Sequence, residues 1–250
     1  ALRVVTFTTT TTTLTHDHHH ARTQLRGQEV DWASHLRTRE EFAETSWRRE
    51  PMVRLGYALP YGIFLWILWN TVRRGFTVRT QLPPDQFQRE RGRLAWSNSL
   101  MFASAIAIYG GLWAFGGVWA MFKFYAIPAT VAMWTGALLI TIHHANPEAL
   151  FFTKESWTPV RGQLVSTFDV RFPRLLEWMW CYINVHIPHH VSIQVPWYHL
   201  PEAARTMERH YPRCYQRQKF SLGHLSWFAR TPFLTRDLKR DLWSPEPSEA

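Results

Sequence analysis

The stretch that decides the architecture is LMFASAIAIYGGLWAFGGVWAMFKFYAIPATVAMWTGALLITI, residues 100–142, in which Lys123 is the single charged side chain. One helix over this length would run ~65 Å, about twice the ~30 Å hydrocarbon core of a bilayer. The run therefore reads as two crossings folded into a hairpin, at about 97–115 and 124–142, with Gly116, Gly117 and Lys123 marking the bend. Two crossings return the chain to the side it left, so residues before 97 and after 142 face one compartment. The approach is rich in arginine (Arg73, Arg74, Arg79, Arg89, Arg91, Arg93), which marks that side as cytoplasmic or its equivalent, such as plastid stroma. The expectation is an all-α membrane protein, a transmembrane helical hairpin with a helical cap on the cytosolic or stromal side.

Composition agrees. The chain is 46% hydrophobic and 15% aromatic, yet its mean hydropathy is only −0.24, so the apolar residues must be concentrated. A charge of +9 admits a nucleic-acid binder, but the arginines gather on no recognition element, and a basic cytosolic face accounts for the same balance. Cys181 and Cys214 are the only cysteines, so no disulfide framework is expected and a reducing compartment suits the chain. The opening residues, beginning with Ala1, have neither the charged and apolar regions of a signal peptide nor a transit-peptide composition, and the chain is expected to begin mid-protein.

Upstream, Thr8–Thr13 forms a low-complexity run expected to stay outside any packed element, so residues 1–15 read as a leader or junction. Residues 16–50 are polar and helix-compatible. The segment LGYALPYGIFLWILW, 55–69, is too short to span and is broken by Pro60, which suits an interfacial or re-entrant helix. Downstream, 143–240 carries short amphipathic pieces, and 241–250 reads as a disordered tail.

Nine of the 13 histidines fall in three groups that this topology places on one side of the bilayer: His16, His18, His19 and His20; His143 and His144; His186, His189 and His190. The first and third groups share the spacing H-x-x-H-H. On a helix, positions i, i+3 and i+4 share a face, so one turn is expected to aim three imidazoles at a metal. His143 and His144 sit where the second crossing ends. An all-histidine, carboxylate-poor shell on a membrane hairpin favours an oxygen-activating iron centre over a hydrolytic zinc site. His18 breaks the shared spacing and is expected to point away. His35, His199, His210 and His224 are single and read as structural. Pro188 can start a helix that aims His189 and His190.

At these residues the sequence resembles the membrane fatty acid desaturases, in particular the plastid and cyanobacterial omega-6 (delta-12) acyl-lipid type. INVHIPHHVSIQVPWYHLPEA, 183–203, is similar to the third histidine box and its following helix, HDHHH to the second box, and TIHHANP, 141–147, to the element after the last span. The resemblance extends from about His16 to Tyr215, and residues 16–240 are expected to form the desaturase domain. It implies two iron ions held by histidines, O2-dependent insertion of a cis double bond into a lipid-bound acyl chain, ferredoxin as electron donor, no nucleic-acid partner and a chloroplast membrane, with endoplasmic reticulum or bacterial inner membrane as alternatives. It also selects His144 over His143, so the implied ligands are His16, His19, His20, His144, His186, His189 and His190. The family's first box, an H-x-x-x-H with two spans, is expected to lie upstream of these residues. Asp169 and Cys181 stand where the group usually has histidine.

Two other readings share the same histidines. A hydroxylase or ketolase would differ only in its product, and a degenerate membrane protein would keep part of the shell without catalysis.

Overall fold

A computed structural model describes residues 9–26, 39–58, 82–144 and 149–229. The first helix, α1, spans Thr9–Ala21 and includes most of the threonine run expected to remain unpacked. Threonine is a weak helix former, so packing decides here. The Thr10 amide donates to Ser97 Oγ at 3.4 Å, and Leu14 packs beside Leu82 and Leu94. The expected boundary at residue 15 thus falls inside a helix. Helices α2 (Arg39–Glu44) and α3 (Pro51–Ala58) follow. Apart from α3, the segment expected to lie in the interface at 55–69 is outside the described residues, as are Arg73, Arg74, Arg79, His35 and the tail at 241–250.

The apolar stretch forms α4 (Pro84–Met121), a π-helical turn (Phe122–Ala126) and α5 (Ile127–His144). Helical dihedrals fail within α4 at Gly116 and Gly117, and Gly117, with φ 61° and ψ −154°, sits in backbone space that only glycine enters readily. The Tyr109 and Tyr125 rings lie 4.8 Å apart. Sixteen residues of straight helix would separate them by ~24 Å, so the chain bends back at the glycine pair. The helices also run past the expected limits of 97 and 115, because α4 begins at Pro84, where proline is well placed in a first turn. By length and composition, Pro84–His144 is apolar enough to cross a membrane. Trp96, Ile106, Phe115 and Trp119 stand exposed along it, and only 24% of its most apolar window is buried.

Residues 149–229 build a mostly helical unit with a π-helical turn at Val160–Val165. It contains β1 (Asp169–Arg171), α6 (Arg174–Met179), α7 (His186–Val191), a 3₁₀ turn (Trp197–His199), α8 (Leu200–His210), β2 (Arg217–Lys219) and α9 (Leu222–Ala229). Strands β1 and β2 pair in parallel, Asp169 opposite Arg217 and Arg171 opposite Lys219. This small sheet departs from the all-α expectation. Three-residue strands are too short to display the period-two pattern that reveals a strand in sequence. Leu164, Val185, Ile187, Leu200, Ala204 and Tyr215 form the core that seats α7 against α8.

Candidate metal centre

Three elements meet at the end of α5. The last two turns of α1 bring His16, His19 and His20, the final residue of α5 is His144, and α7 carries His186, His189 and His190. The seven rings form two adjacent clusters. His16, His20 and His189 make the more open one, with His16 Nε2 3.1 Å from His20 Nε2 and 3.3 Å from His189 Nε2. His19, His144 and His190 make the second, which is buried. His186 adjoins it, and the Nε2 atoms of His144, His186 and His190 lie 2.8–3.0 Å from one another.

Each H-x-x-H-H turn therefore serves both clusters, contrary to the expectation that one turn aims all three rings at one metal. Neighbouring residues on a helix diverge by 100°, so His19 and His20 face different clusters, as do His189 and His190. The i, i+4 partners remain together: His16 with His20, and His186 with His190. The clusters touch through the His20 and His190 rings, stacked at 4.2 Å.

The spacing suits metal ligands. Two nitrogens at ~2.1 Å from one ion lie ~3.0 Å apart at right angles and ~3.4 Å apart in a tetrahedron, which brackets most of the separations here. The tautomers point the same way. His186 Nδ1 donates to the Ile183 carbonyl at 3.1 Å. Thr23 Oγ1 donates to the His19 carbonyl at 2.9 Å, so its oxygen receives the Nδ1–H of His190 at 3.0 Å. With both protons on Nδ1, the Nε2 atoms of His186 and His190 face each other with lone pairs, an arrangement a shared cation resolves.

The rings are also held neutral, the form that ligates. Burial, and then neighbouring histidines, push His20 from 6.5 to about 2 and His189 to about 4. The same causes hold His186 and His190 well below the usual range.

A supporting shell without any sequence signal fixes these helices. Gln24, with φ 63°, donates from Nε2 to the carbonyls of His144 (2.8 Å) and Ser166 (3.1 Å), tying the end of α1 to the end of α5. Gln163 donates to the His20 carbonyl at 2.8 Å, satisfying one of the carbonyls that α1 leaves open at its end, and Trp157 Nε1 donates to the Thr23 carbonyl in the turn beyond it at 2.8 Å. Gly162 packs against the same turn, where a Cβ would come within 2.3 Å of the Thr23 oxygen.

Asp169 anchors α7. Fully buried on β1, it accepts the amides of His186 (2.6 Å) and Ile187 (2.8 Å) on Oδ1 and the hydroxyl of Tyr215 on Oδ2. Burial pushes its carboxyl up to about 6 against those bonds. Behind it, Glu177 accepts both Nε and an Nη of Arg171 at 2.7 Å, the Phe172 amide at 2.9 Å and the Asn184 amide at 3.0 Å. This pairing, first and largest through the Arg171 hydrogen bonds, raises the guanidinium's pKa further. Cys181 stands exposed beyond the clusters, and with Tyr182 it adopts positive φ in the turn before α7.

The other described histidines lie outside the clusters. His18 donates from Nε2 to Gln86 at 2.7 Å and receives Arg22 at Nδ1. His143 donates from Nδ1 to the Phe168 carbonyl at 2.8 Å and stacks on His186 at 4.6 Å, while His144 turns Nε2 into the buried cluster. His199 is paired with Glu202, His210 with the Thr206 carbonyl, and His224 with Ser221 and Gln218.

The family model described as fatty acid desaturase matches residues 2–221. The sn-1 oleoyl-lipid 12-desaturase of Synechocystis sp. is 30% identical over 131 residues, 52% of this chain and 37% of that protein. The chloroplastic omega-6 fatty acid desaturase of Glycine max is 28% identical over 198 residues, covering 76% of this chain and 43% of that protein. The sn-1 oleoyl-lipid 12-desaturase of Arthrospira platensis is 29% identical over 45% of this chain and 32% of its own length. The matches thus span about a third to two fifths of the length of these three relatives.

Proposed function

This chain belongs to the fatty acid desaturase family, and we propose that it carries the metal-binding part of an enzyme that desaturates lipid-linked acyl chains with O2. The observation that carries this reading is the pair of adjacent histidine clusters assembled from three separate elements. His16, His20 and His189 would hold one iron, and His19, His144 and His190 with the adjoining His186 would hold the other. Two iron ions bound there supply the O2 activation needed to remove hydrogens from unactivated methylenes.

The residues of the chain do the rest. Thr23 and the Ile183 carbonyl keep His190 and His186 in the tautomer that presents Nε2, and burial keeps water from the inner cluster. The domain takes in the whole of α1 and runs to about residue 240, with 241–250 a tail. The bent pair α4 and α5 crosses a membrane as a hairpin, leaving the clusters on the cytosolic or stromal side. An acyl chain then reaches the clusters from the lipid along α5, which ends in His144. The names of the relatives favour the 12 or omega-6 position on an oleoyl lipid and a plastid or comparable membrane, and the resemblance to the plastid type implies ferredoxin as reductant.

The test is lipid analysis after expressing the complete reading frame in a host that makes oleoyl but no linoleoyl lipids. A new diene in the lipid-bound chains is expected. His189→Ala should abolish it while membrane insertion persists, and a normal diene level in that variant would remove His189 from the ligand set. A hydroxy or keto product in place of the diene would overturn the desaturase reading.

A further inference from the structure

We propose that the basic face formed by α8, the turn after it and β2 is the docking site of an acidic one-electron carrier protein. The proposal rests on the desaturase reading. Forming a double bond removes two hydrogens, hence two electrons and two protons, from the acyl chain. Reducing O2 to two waters takes four of each, so two electrons and two protons must come from outside the substrate. The inner cluster is buried and offers no surface for a carrier, so a carrier that serves it binds one layer away.

Helix α8 is that layer. Its inner residues Leu200 and Ala204 pack in the core with Val185 and Ile187, beside the histidines of α7. Its outer face presents Arg205 and Arg209, Arg213 is exposed in the next turn, and Lys219 is exposed on β2. Among the described residues these four make no ion pair. The two acids of segment 199–219 are already engaged, Glu208 with Arg217 at 2.8 Å and Glu202 beside His199 at 3.5 Å. Next to this face opens a cleft of about 800 Å³ lined by Arg171, Phe172, Arg217, Lys219 and Phe220, with the two phenylalanine rings stacked at 4.6 Å. An apolar centre with a charged rim is the anatomy of a transient protein interface.

A chain of contacts leads inward from it. The Arg217 guanidinium lies 5.8 Å from the Tyr215 ring centre, the Tyr215 hydroxyl donates to Asp169, and Asp169 accepts the His186 amide at 2.6 Å. Adjacent packed layers of this kind are ~10 Å apart. The surplus of cations selects an acidic partner, since complementary charge steers the encounter.

The experiment compares the full-length protein in detergent micelles with the charge-reversal variant Arg205→Glu/Arg209→Glu/Arg213→Glu, using a reduced, acidic [2Fe–2S] ferredoxin as probe. The variant should bind ferredoxin at least about 10-fold more weakly at low ionic strength and lose the salt dependence of the wild type. Its KM for ferredoxin should rise while product formed in a single dithionite-driven turnover stays the same. A parallel Arg→Gln triple variant should fall between the two and serves where the Glu variant fails to fold. Unchanged ferredoxin affinity in the variants, or no binding by the wild type, overturns the proposal. So does a face that serves anionic headgroups: phosphatidylglycerol added to phosphatidylcholine nanodiscs would then raise the melting temperature of the wild type alone and leave ferredoxin affinity equal. If the wild type makes no double bond even with dithionite, the desaturase reading fails, while the binding constants still report on the docking face.

Discussion

Replacing Asp169 by alanine tests whether one buried carboxylate holds the third histidine box in place. In the native protein this side chain receives three donors, the amides of His186 and Ile187 and the hydroxyl of Tyr215, none of which has solvent to turn to. An orphaned buried donor costs ~1–3 kcal/mol, so three cost ~6 kcal/mol at the middle of the range. Against this, burial opposes the charged carboxylate and holds its pKa up at about 6 even with those bonds in place, and alanine removes that penalty, which takes the expectation to the low end of three such losses. The net expectation is a loss of ~3 kcal/mol. Asp169→Asn gives the contrast. Its amide oxygen still accepts both backbone N–H groups, its NH2 can donate to the Tyr215 oxygen, and no charge is buried, so it should fall within ~1 kcal/mol of wild type. The assay is unfolding of the purified protein followed by tryptophan fluorescence, with bound iron measured on the same samples. Alanine should also lower iron affinity ~10–100-fold, as loss of an outer-shell contact does. A near-native alanine variant with full iron would refute the anchoring role, and an asparagine variant as damaged as alanine would show that the charge matters instead of the hydrogen bonds.

Two further substitutions probe the same support from the side of α1. Thr23→Val keeps the shape but removes the acceptor of His190 Nδ1, so iron affinity should fall ~10–100-fold in competition with a chelator, and an unchanged affinity would dismiss Thr23 as the tautomer-setting group. Gly162→Ala drives a Cβ against the Thr23 carbonyl and Trp157 Nε1, 2.3 and 2.7 Å away, and should destabilise by at least ~1–3 kcal/mol; a melting temperature equal to wild type would contradict the close packing of these backbones.

How much of this was legible in the sequence follows from the range of each interaction. The bend at Gly116 and Gly117 and the meeting of the histidine groups depend on local features, an apolar run with a break in it and repeated spacing, and these are visible along the chain. The division of each box between two clusters was also implicit in helical geometry, since 100° separates His189 from His190, but the shared spacing suggested a single focus. The support shell is different in kind. Thr23 meets His190 across 167 positions, Gln24 meets the His144 carbonyl across 120, and Asp169 meets Tyr215 across 46. A threonine, a glutamine and an aspartate in polar stretches carry no period and no motif, and their roles exist only once the elements are packed. The same holds for β1 and β2: three residues each, they are strands because Asp169 must lie beneath the start of α7 while Tyr215 closes over it. Substitutions in this shell therefore act on the clusters through histidines they do not replace, and a catalogue of histidine boxes alone would leave such losses unexplained.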